Sequence, residues 1–177
     1  MQEHGLKISE LVTLFKLEVL NRGSDYDTAL LTITDVNRPG LQFHSFYDYF
    51  DPRRLQVLGK AEITYLKGLT TEQRRKCFDD LFLYDIPALV ISRGLDCFPE
   101  CLESARVHER TLLRTEETTV EFTSHTIEYL NRVLAPCVTR HGVLLDISGE
   151  GVMITGDSGI GKSESAIELI MRGHRLV

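Results

Sequence analysis

Residues Gly156 to Ser163 read G-D-S-G-I-G-K-S, a complete G-x-x-x-x-G-K-[ST] loop, and this word constrains the fold more than any other stretch of the chain. Such a loop works between a strand that delivers it and a helix that leaves it. Both flanks fit. Val152-Met153-Ile154-Thr155 reads as a strand, and Ser163 to Arg172 as a helix with Ile167, Ile170 and Met171 on one face. Gly173 reads as the stop of that helix. Glycines at 156, 159 and 161 let the backbone bring N–H groups up to phosphate oxygens. Lys162 can reach the β- and γ-phosphates, and the Ser163 hydroxyl can ligate Mg²⁺. The positive end of the helix dipole points at the same place.

Phosphoryl transfer in such a loop also needs an acidic group to help hold Mg²⁺ and a group to activate the nucleophile. Fourteen residues follow Ser163, and His174 to Val177 reads as the start of another strand. Upstream, Val143-Leu144-Leu145-Asp146 has the apolar-strand-plus-Asp pattern. It precedes the loop by only ten residues, across the turn Ser148-Gly149-Glu150-Gly151. That spacing suits a β-hairpin entering the loop strand and favours a structural Asp146 over a metal-binding one. The nucleotide-binding part is expected to be a stub, truncated after its first βα unit.

Of 177 residues, 42% are hydrophobic and 26% charged, enough for one good core and part of a second. A net charge of −6 argues against a nucleic-acid binder, and the clusters Arg53-Arg54 and Arg74-Arg75-Lys76 have acids nearby. No apolar run reaches the length of a membrane span and the N-terminus has no signal-peptide pattern, so no membrane partner and a cytoplasmic location are expected. Cys77, Cys97, Cys101 and Cys137 form no C-x-x-C pair. Cys97-x3-Cys101 invites a metal hypothesis but lacks supporting ligands, which leaves buried or partly buried thiols in a reducing compartment.

Along the rest of the chain, helical and strand patterns alternate. A short helix is expected over Ser9 to Lys16 with Ser9 as N-cap. Strands are expected at Leu17–Leu20, Ala29–Ile33, Leu55–Leu58 and Ile63–Leu66. Phe43, Phe46, Tyr47, Tyr49 and Phe50 form an aromatic cluster of core or interface type. A helix runs from Thr70 or Thr71 through Leu81 in capping-box register with Gln73. The run Ile86–Ile91 resembles a strand buried on both faces, with Pro87 at its entry. A helix over Pro99–Ala105, a short strand at Thr111–Arg114 and a longer helix from Thr118 or Thr119 to about Leu134 complete an α/β domain of about residues 1–130. Its own function is not legible in its residues. His141 sits at a strand end beside the loop hairpin, where an imidazole can contact phosphate or bias a neighbouring carboxylate. By spacing alone it remains a lone histidine.

The words N-R-V-L-A-P, H-G-V-L-L-D-I and G-V-M-I-T-G-D-S-G-I-G-K-S-E-S-A-I-E-L-I-M-R-G-H-R-L-V, between Asn131 and Val177, resemble bacterial HPr kinase/phosphorylase in order and spacing. Pro87-Ala88-Leu89-Val90-Ile91 with Arg93-Gly94-Leu95, and Leu112-Leu113-Arg114-Thr115, are similar to that family's N-terminal half. The resemblance implies a Mur-ligase-like α/β domain of unsettled role (1–130), then the first β-hairpin, P-loop and helix of a P-loop kinase domain (131–177). It implies phosphorylation of a regulatory serine on the phosphocarrier HPr with ATP or pyrophosphate. It also implies the reverse phosphorolysis with inorganic phosphate, control of carbon catabolite repression, and a homohexamer for the full-length enzyme. Carried over, Gly156, Asp157, Ser158, Gly159, Ile160, Gly161, Lys162 and Ser163 are the nucleotide or pyrophosphate cradle. Lys162 and His141 are catalytic, and Ser163 ligates Mg²⁺. The family's proton-shuttling aspartate is expected in an Ala-Asp-Asp stretch after Val177, so the fragment itself is expected to be inactive. Two other classes stay open: a nucleotide-dependent switch or ATPase without a protein substrate, and an interaction module in which the P-loop stub is disordered.

Overall fold

The computed structural model describes residues 5–177. Its first unit, ending at Ala135, contains in chain order β1 (Leu6–Lys7), α1 (Ile8–Phe15), β2 (Glu18–Asn21), β3 (Leu30–Leu31), β4 (Val36–Asn37), β5 (Leu55–Leu58), α2 (Lys60–Lys67), α3 (Thr71–Phe82), β6 (Leu89–Ile91), α4 (Pro99–Val107), β7 (Leu112–Arg114) and α5 (Thr119–Val133). Five strands form one sheet in the order β2-β7-β6-β5-β4, parallel except for the antiparallel edge strand β2. β1 and β3 pair separately.

The apolar runs of β5, β6 and β7 are buried on both faces because helices cover the sheet on both sides. Alternation along the strands does the sorting. Leu58, Leu89, Ile91 and Leu112 pack with Ile63 and Leu66 of α2, Phe78 and Phe82 of α3, and Cys101 and Ala105 of α4. Leu55, Val57, Val90 and Leu113 pack with Ile8 and Leu11 of α1 and with Phe122 and Leu130 of α5. Phe78, Phe82 and Phe122 are fully buried, each stabilising by about 1.5–3 kcal/mol through removal from water. Gln56 is the polar exception. It is buried, yet its amide donates to the Arg54 carbonyl at 2.7 Å and its Oε1 accepts from Asn37 at 2.7 Å.

Two helices start as their sequences predict. Thr70 Oγ1 accepts from the Gln73 N–H while the Gln73 side chain accepts from the Thr70 N–H, and Thr118 and Glu121 repeat the exchange at α5. Two expectations fail. Ile63–Leu66 is not a strand but lies inside α2, where Ile63 and Leu66 share the core-facing side and the Glu62 carboxylate accepts the Gly59 N–H at 2.9 Å. Ser9 is not a cap either. The helix begins one residue earlier, directly after β1, and the Ile8 N–H donates to the Ala29 carbonyl at 3.1 Å. Backbone from a neighbouring segment does the work of the missing side-chain cap. The expected strands at Ala29–Ile33 and Ile86–Ile91 shorten to β3 and β6.

The basic clusters are neutralised locally: Arg53 by Asp51, Arg54 by Asp35, Arg74 by Glu100 and Arg75 by Glu103. The aromatic cluster divides. Phe43 enters the core edge-on to Phe78, Tyr47 stacks on Tyr84, and Tyr49 faces solvent. No helix among the described residues is long and apolar enough to cross a membrane.

The second unit, Pro136–Val177, holds β8 (Gly142–Ile147), β9 (Glu150–Thr155), α6 (Lys162–Met171) and β10 (Arg175–Leu176). Its antiparallel sheet has the order β10-β8-β9. β8 and β9 form a hairpin through Ser148 and Gly149, both with positive φ (56° and 90°), the combination that matches strand twist in a two-residue turn. Asp146 Oδ1 accepts the Gly149 N–H at 2.8 Å and fastens that turn.

Candidate functional site

The loop hangs between β9 and α6, and the local backbone explains why its glycines recur. Gly156, Gly159 and Gly161 take φ values of 154°, 81° and 93°. Gly161 is the N-cap of α6 in the left-handed region, where a residue with a Cβ is strained, and no side chain caps the helix behind it. The N–H groups of the first turn therefore face outward into the loop. At the other end α6 closes on Gly173. The His174 N–H donates to Leu169 O at 3.2 Å and the Gly173 N–H to Ile170 O at 2.9 Å, a Schellman pair that fixes the helix length.

Lys162 folds back over the loop. Its Nζ donates to the Gly156 carbonyl at 2.9 Å and the Asp157 carbonyl at 2.6 Å, closing the segment into a ring. Asp157, Ser158 and Ile160 form the exposed tip, with the Ile160 N–H turned toward Asp157 O at 3.4 Å. Ser163, the second residue of α6, is exposed, and its hydroxyl has no hydrogen-bond partner among the described residues. A lysine ammonium, outward backbone N–H groups and a free hydroxyl oxygen fit an oxyanion together with a hard cation.

His141 lies immediately before β8 and is exposed. The last pair of the hairpin is Gly142 with Thr155, so His141 and Gly156, the first loop residue, each lie one residue beyond the paired end of the hairpin. Strand pairing thus sets His141 and the start of the loop at the same end of the hairpin. Asp146 is at the far end of the same strand, committed to the hairpin turn.

Sequence reasoning missed one residue. A Cβ on Gly142 would stand 2.6 Å from the Ile154 carbonyl and 2.9 Å from the Met153 side chain, so only glycine lets the two strands close at the loop end. A glycine inside a strand pattern was the available signal.

A mixed-sheet α/β unit, followed by a hairpin, a glycine loop with an inward lysine and a helix, makes up a two-part α/β chain whose second part carries a glycine loop with the donors to fit an oxyanion. Its relatives agree on the family. Residues 6–130 match the HPr Serine kinase N terminus and residues 132–177 the HPr Serine kinase C-terminal domain. The chain belongs to the HPr serine kinase family. It is 47% identical over 173 residues to the HPr kinase/phosphorylase of Clostridium tetani (strain Massachusetts / E88), an overlap of 98% of this chain and 56% of that protein. It is 46% identical over the same length to the HPr kinase/phosphorylases of Clostridium perfringens (strain SM101 / Type A) and Clostridium beijerinckii, covering 56% and 57% of them. The chain spans about half the length of the curated relatives it matches. Among solved structures it is similar to the CBS and DRTGG domains of the regulatory region of Clostridium perfringens pyrophosphatase, complexed with activator, diadenosine tetraphosphate. The TM-score is 0.50 at 13% identity, covering 85% of this chain and 69% of that one, and the likeness concerns the fold alone.

Proposed function

We propose that the protein to which this chain belongs transfers the terminal phosphoryl group of ATP or pyrophosphate to a regulatory serine of HPr. In the reverse direction it hands that group to inorganic phosphate, releasing pyrophosphate, and the balance controls carbon catabolite repression. The observation that carries the reading is the ring-closed loop Gly156–Ser163 between β9 and α6, inside a chain that matches both domains of one kinase family.

Within that reading each residue has a task. Gly156, Asp157, Ser158, Gly159, Ile160 and Gly161 present backbone N–H groups to the phosphate oxygens. Lys162 leaves its loop carbonyls to neutralise charge on the transferring group. The Ser163 hydroxyl would be among the oxygen ligands of a Mg²⁺ ion, which when bound would supply neutralisation of phosphate charge. His141, at the same end of the hairpin as the start of the loop, contacts phosphate or biases the protonation of a neighbouring carboxylate. The serine oxygen forms the new O–P bond as the bond to the leaving phosphate breaks, and the serine proton passes to an acceptor in the longer protein. Residues 1–130 are read as a Mur-ligase-like domain and residues from 131 on as the start of the catalytic part. The longer protein is read as a cytoplasmic homohexamer, and this chain alone as inactive in transfer.

The test is to mix HPr, Mg²⁺ and γ-labelled ATP with this chain and with a version continued through the full length of its relatives. Label should appear on an HPr serine with the longer form, and Lys162→Ala should abolish transfer in both directions. ATP turnover that needs no acceptor, with HPr unlabelled, would replace this reading with a nucleotide-dependent switch.

A further inference from the structure

The first unit carries a cleft that the family assignment leaves unused. α1 and α5 cover the same face of the sheet, both sending apolar side chains into the cluster that holds Ile8, Leu11, Phe122 and Leu130. Toward α1, helix α5 presents His125, Glu128, Tyr129 and Arg132, whose three- and four-residue spacing lines them along one stripe. Leu14 and Phe15, at the end of α1, form the other wall. The space between has a volume of about 390 Å³, in the range of clefts that hold small ligands. Its base is built of packed rings, because Phe15 stands edge-on to Phe122 at 5.8 Å and to Tyr129 at 6.2 Å. Leu14 stays 46% exposed, so the cleft offers open apolar surface.

The charges on that stripe are arranged unusually. Glu128 and Arg132 have the four-residue spacing, acid first, that favours an ion pair along a helix. Glu168 and Arg172 of α6 have the same spacing and form one at 2.9 Å. Glu128 and Arg132 do not. The Arg132 guanidinium lies over the Tyr129 ring instead, with Cζ 5.0 Å from the centroid, and neither charge has an ion-pair partner among the described residues. His125 is held from its other side. Its Nδ1 is 3.1 Å from the Glu117 carboxylate, and an imidazole that donates there leaves Nε2 as an acceptor.

We propose that the cleft between α1 and α5 is a binding site for a free α-amino acid with an apolar side chain. A carboxylate suits the planar guanidinium of Arg132, whose N–H edge is unused while its face rests on Tyr129. An ammonium suits Glu128 and the Nε2 of His125. The opposite charges stand one helical turn apart, and an α-amino acid carries its own pair on a single carbon. The ligand side chain then leaves water for the space between Leu14, Phe15 and Tyr129. Simple acids and amines fit less well. An apolar acid would cover Glu128 without pairing it, and an apolar amine would do the same to Arg132, so each is disfavoured against the zwitterion.

The experiment titrates L-phenylalanine, and separately L-leucine, into the folded chain while heteronuclear NMR follows Leu14, His125 and Tyr129. Saturable shifts centred on these residues are expected. Phenylalaninamide lacks the carboxylate and N-acetylphenylalanine the ammonium. Each should bind at least about tenfold more weakly than phenylalanine, the loss of one charge-assisted hydrogen bond. Arg132→Gln should erase the preference for the acid over its amide, and Glu128→Gln the preference for the free amine over its acetylated form. Both side chains are exposed, so neither replacement disturbs the core. No saturable shift with either amino acid, or equal binding of phenylalanine and its two blocked forms, would overturn the proposal. That comparison is made on the parent chain and decides the matter whatever the variants do.

Discussion

Single residues decide whether the hairpin closes at the loop end. Gly142 sits where any Cβ meets the Ile154 carbonyl at 2.6 Å, while Gly151 on the partner strand has nothing within 4 Å of that position. Gly142→Ala should therefore destabilise the second unit by about 1–3 kcal/mol, and Gly151→Ala should stay within about 0.5 kcal/mol. Chemical denaturation followed by a probe in β8 or β9 separates the two, and equal effects would remove the steric argument. Glu62 gives a pH-dependent counterpart in the first unit. Burial pushes its carboxyl up, but hydrogen bonds from Arg38 and from the Gly59 N–H prevail and hold it below its ordinary value of 4.5. A depressed folded value means that its contribution is fully present above the ordinary value and is lost as pH falls through the folded one. Urea midpoints measured from neutral pH into acid should fall less steeply in Glu62→Gln than in the parent; parallel curves would show that the ion pair plays no part. At this scale the loop was legible because its eight residues are contiguous. The close approach at Gly142 was not, because it depends on the Ile154 carbonyl and the Met153 side chain across the hairpin, which spacing does not display.

At the scale of elements, local chemistry and tertiary packing divide the outcome. α3 and α5 begin where Thr70 and Thr118 predict, because both halves of each capping exchange lie within four residues. Thr118→Ala should cost about 1 kcal/mol of first-unit stability, with Thr118→Ser close to the parent. Thermal unfolding of the three proteins checks this, and an unchanged alanine variant would show that the Glu121 half of the exchange suffices. The segment Ile63–Leu66 was misread for the opposite reason. Four residues are too few to show a period of 3.6, and its β-branched Ile63 and Thr64 speak for a strand. The helix prevails because the core lies on one side of it and the Glu62–Gly59 hydrogen bond starts it. The hairpin into the loop was legible because its turn chemistry, Ser148-Gly149, is also local.

Across the whole molecule the two units are built to different standards. The first encloses a sheet between helices on both faces, with two clusters of fully buried apolar side chains. In the second, Leu145 and Ala166 are the buried apolar residues among those described, while Ile167, Ile170 and Met171 of α6 remain exposed. Hydrogen exchange should therefore protect β5 and β6 for far longer than β8, β9 or α6 in this chain. Equal protection would mean that the second unit draws stability from a source other than its own core. The general α/β plan was readable from alternating patterns, but the antiparallel edge strand β2 was not, since it owes its place to Val19 and Asn21 meeting Leu113 and Leu112 nearly a hundred residues away.

Lys162 adds a consequence of its own. An ammonium already satisfied by two carbonyls of its own loop keeps that loop in shape and spares a ligand the entropy of ordering it. The same ring acts as a threshold. A weakly charged molecule cannot draw the lysine away, whereas a compact polyanion can outcompete two neutral oxygens. On the proposed reading, the loop would sort its ligands by charge density before any base or sugar came into play.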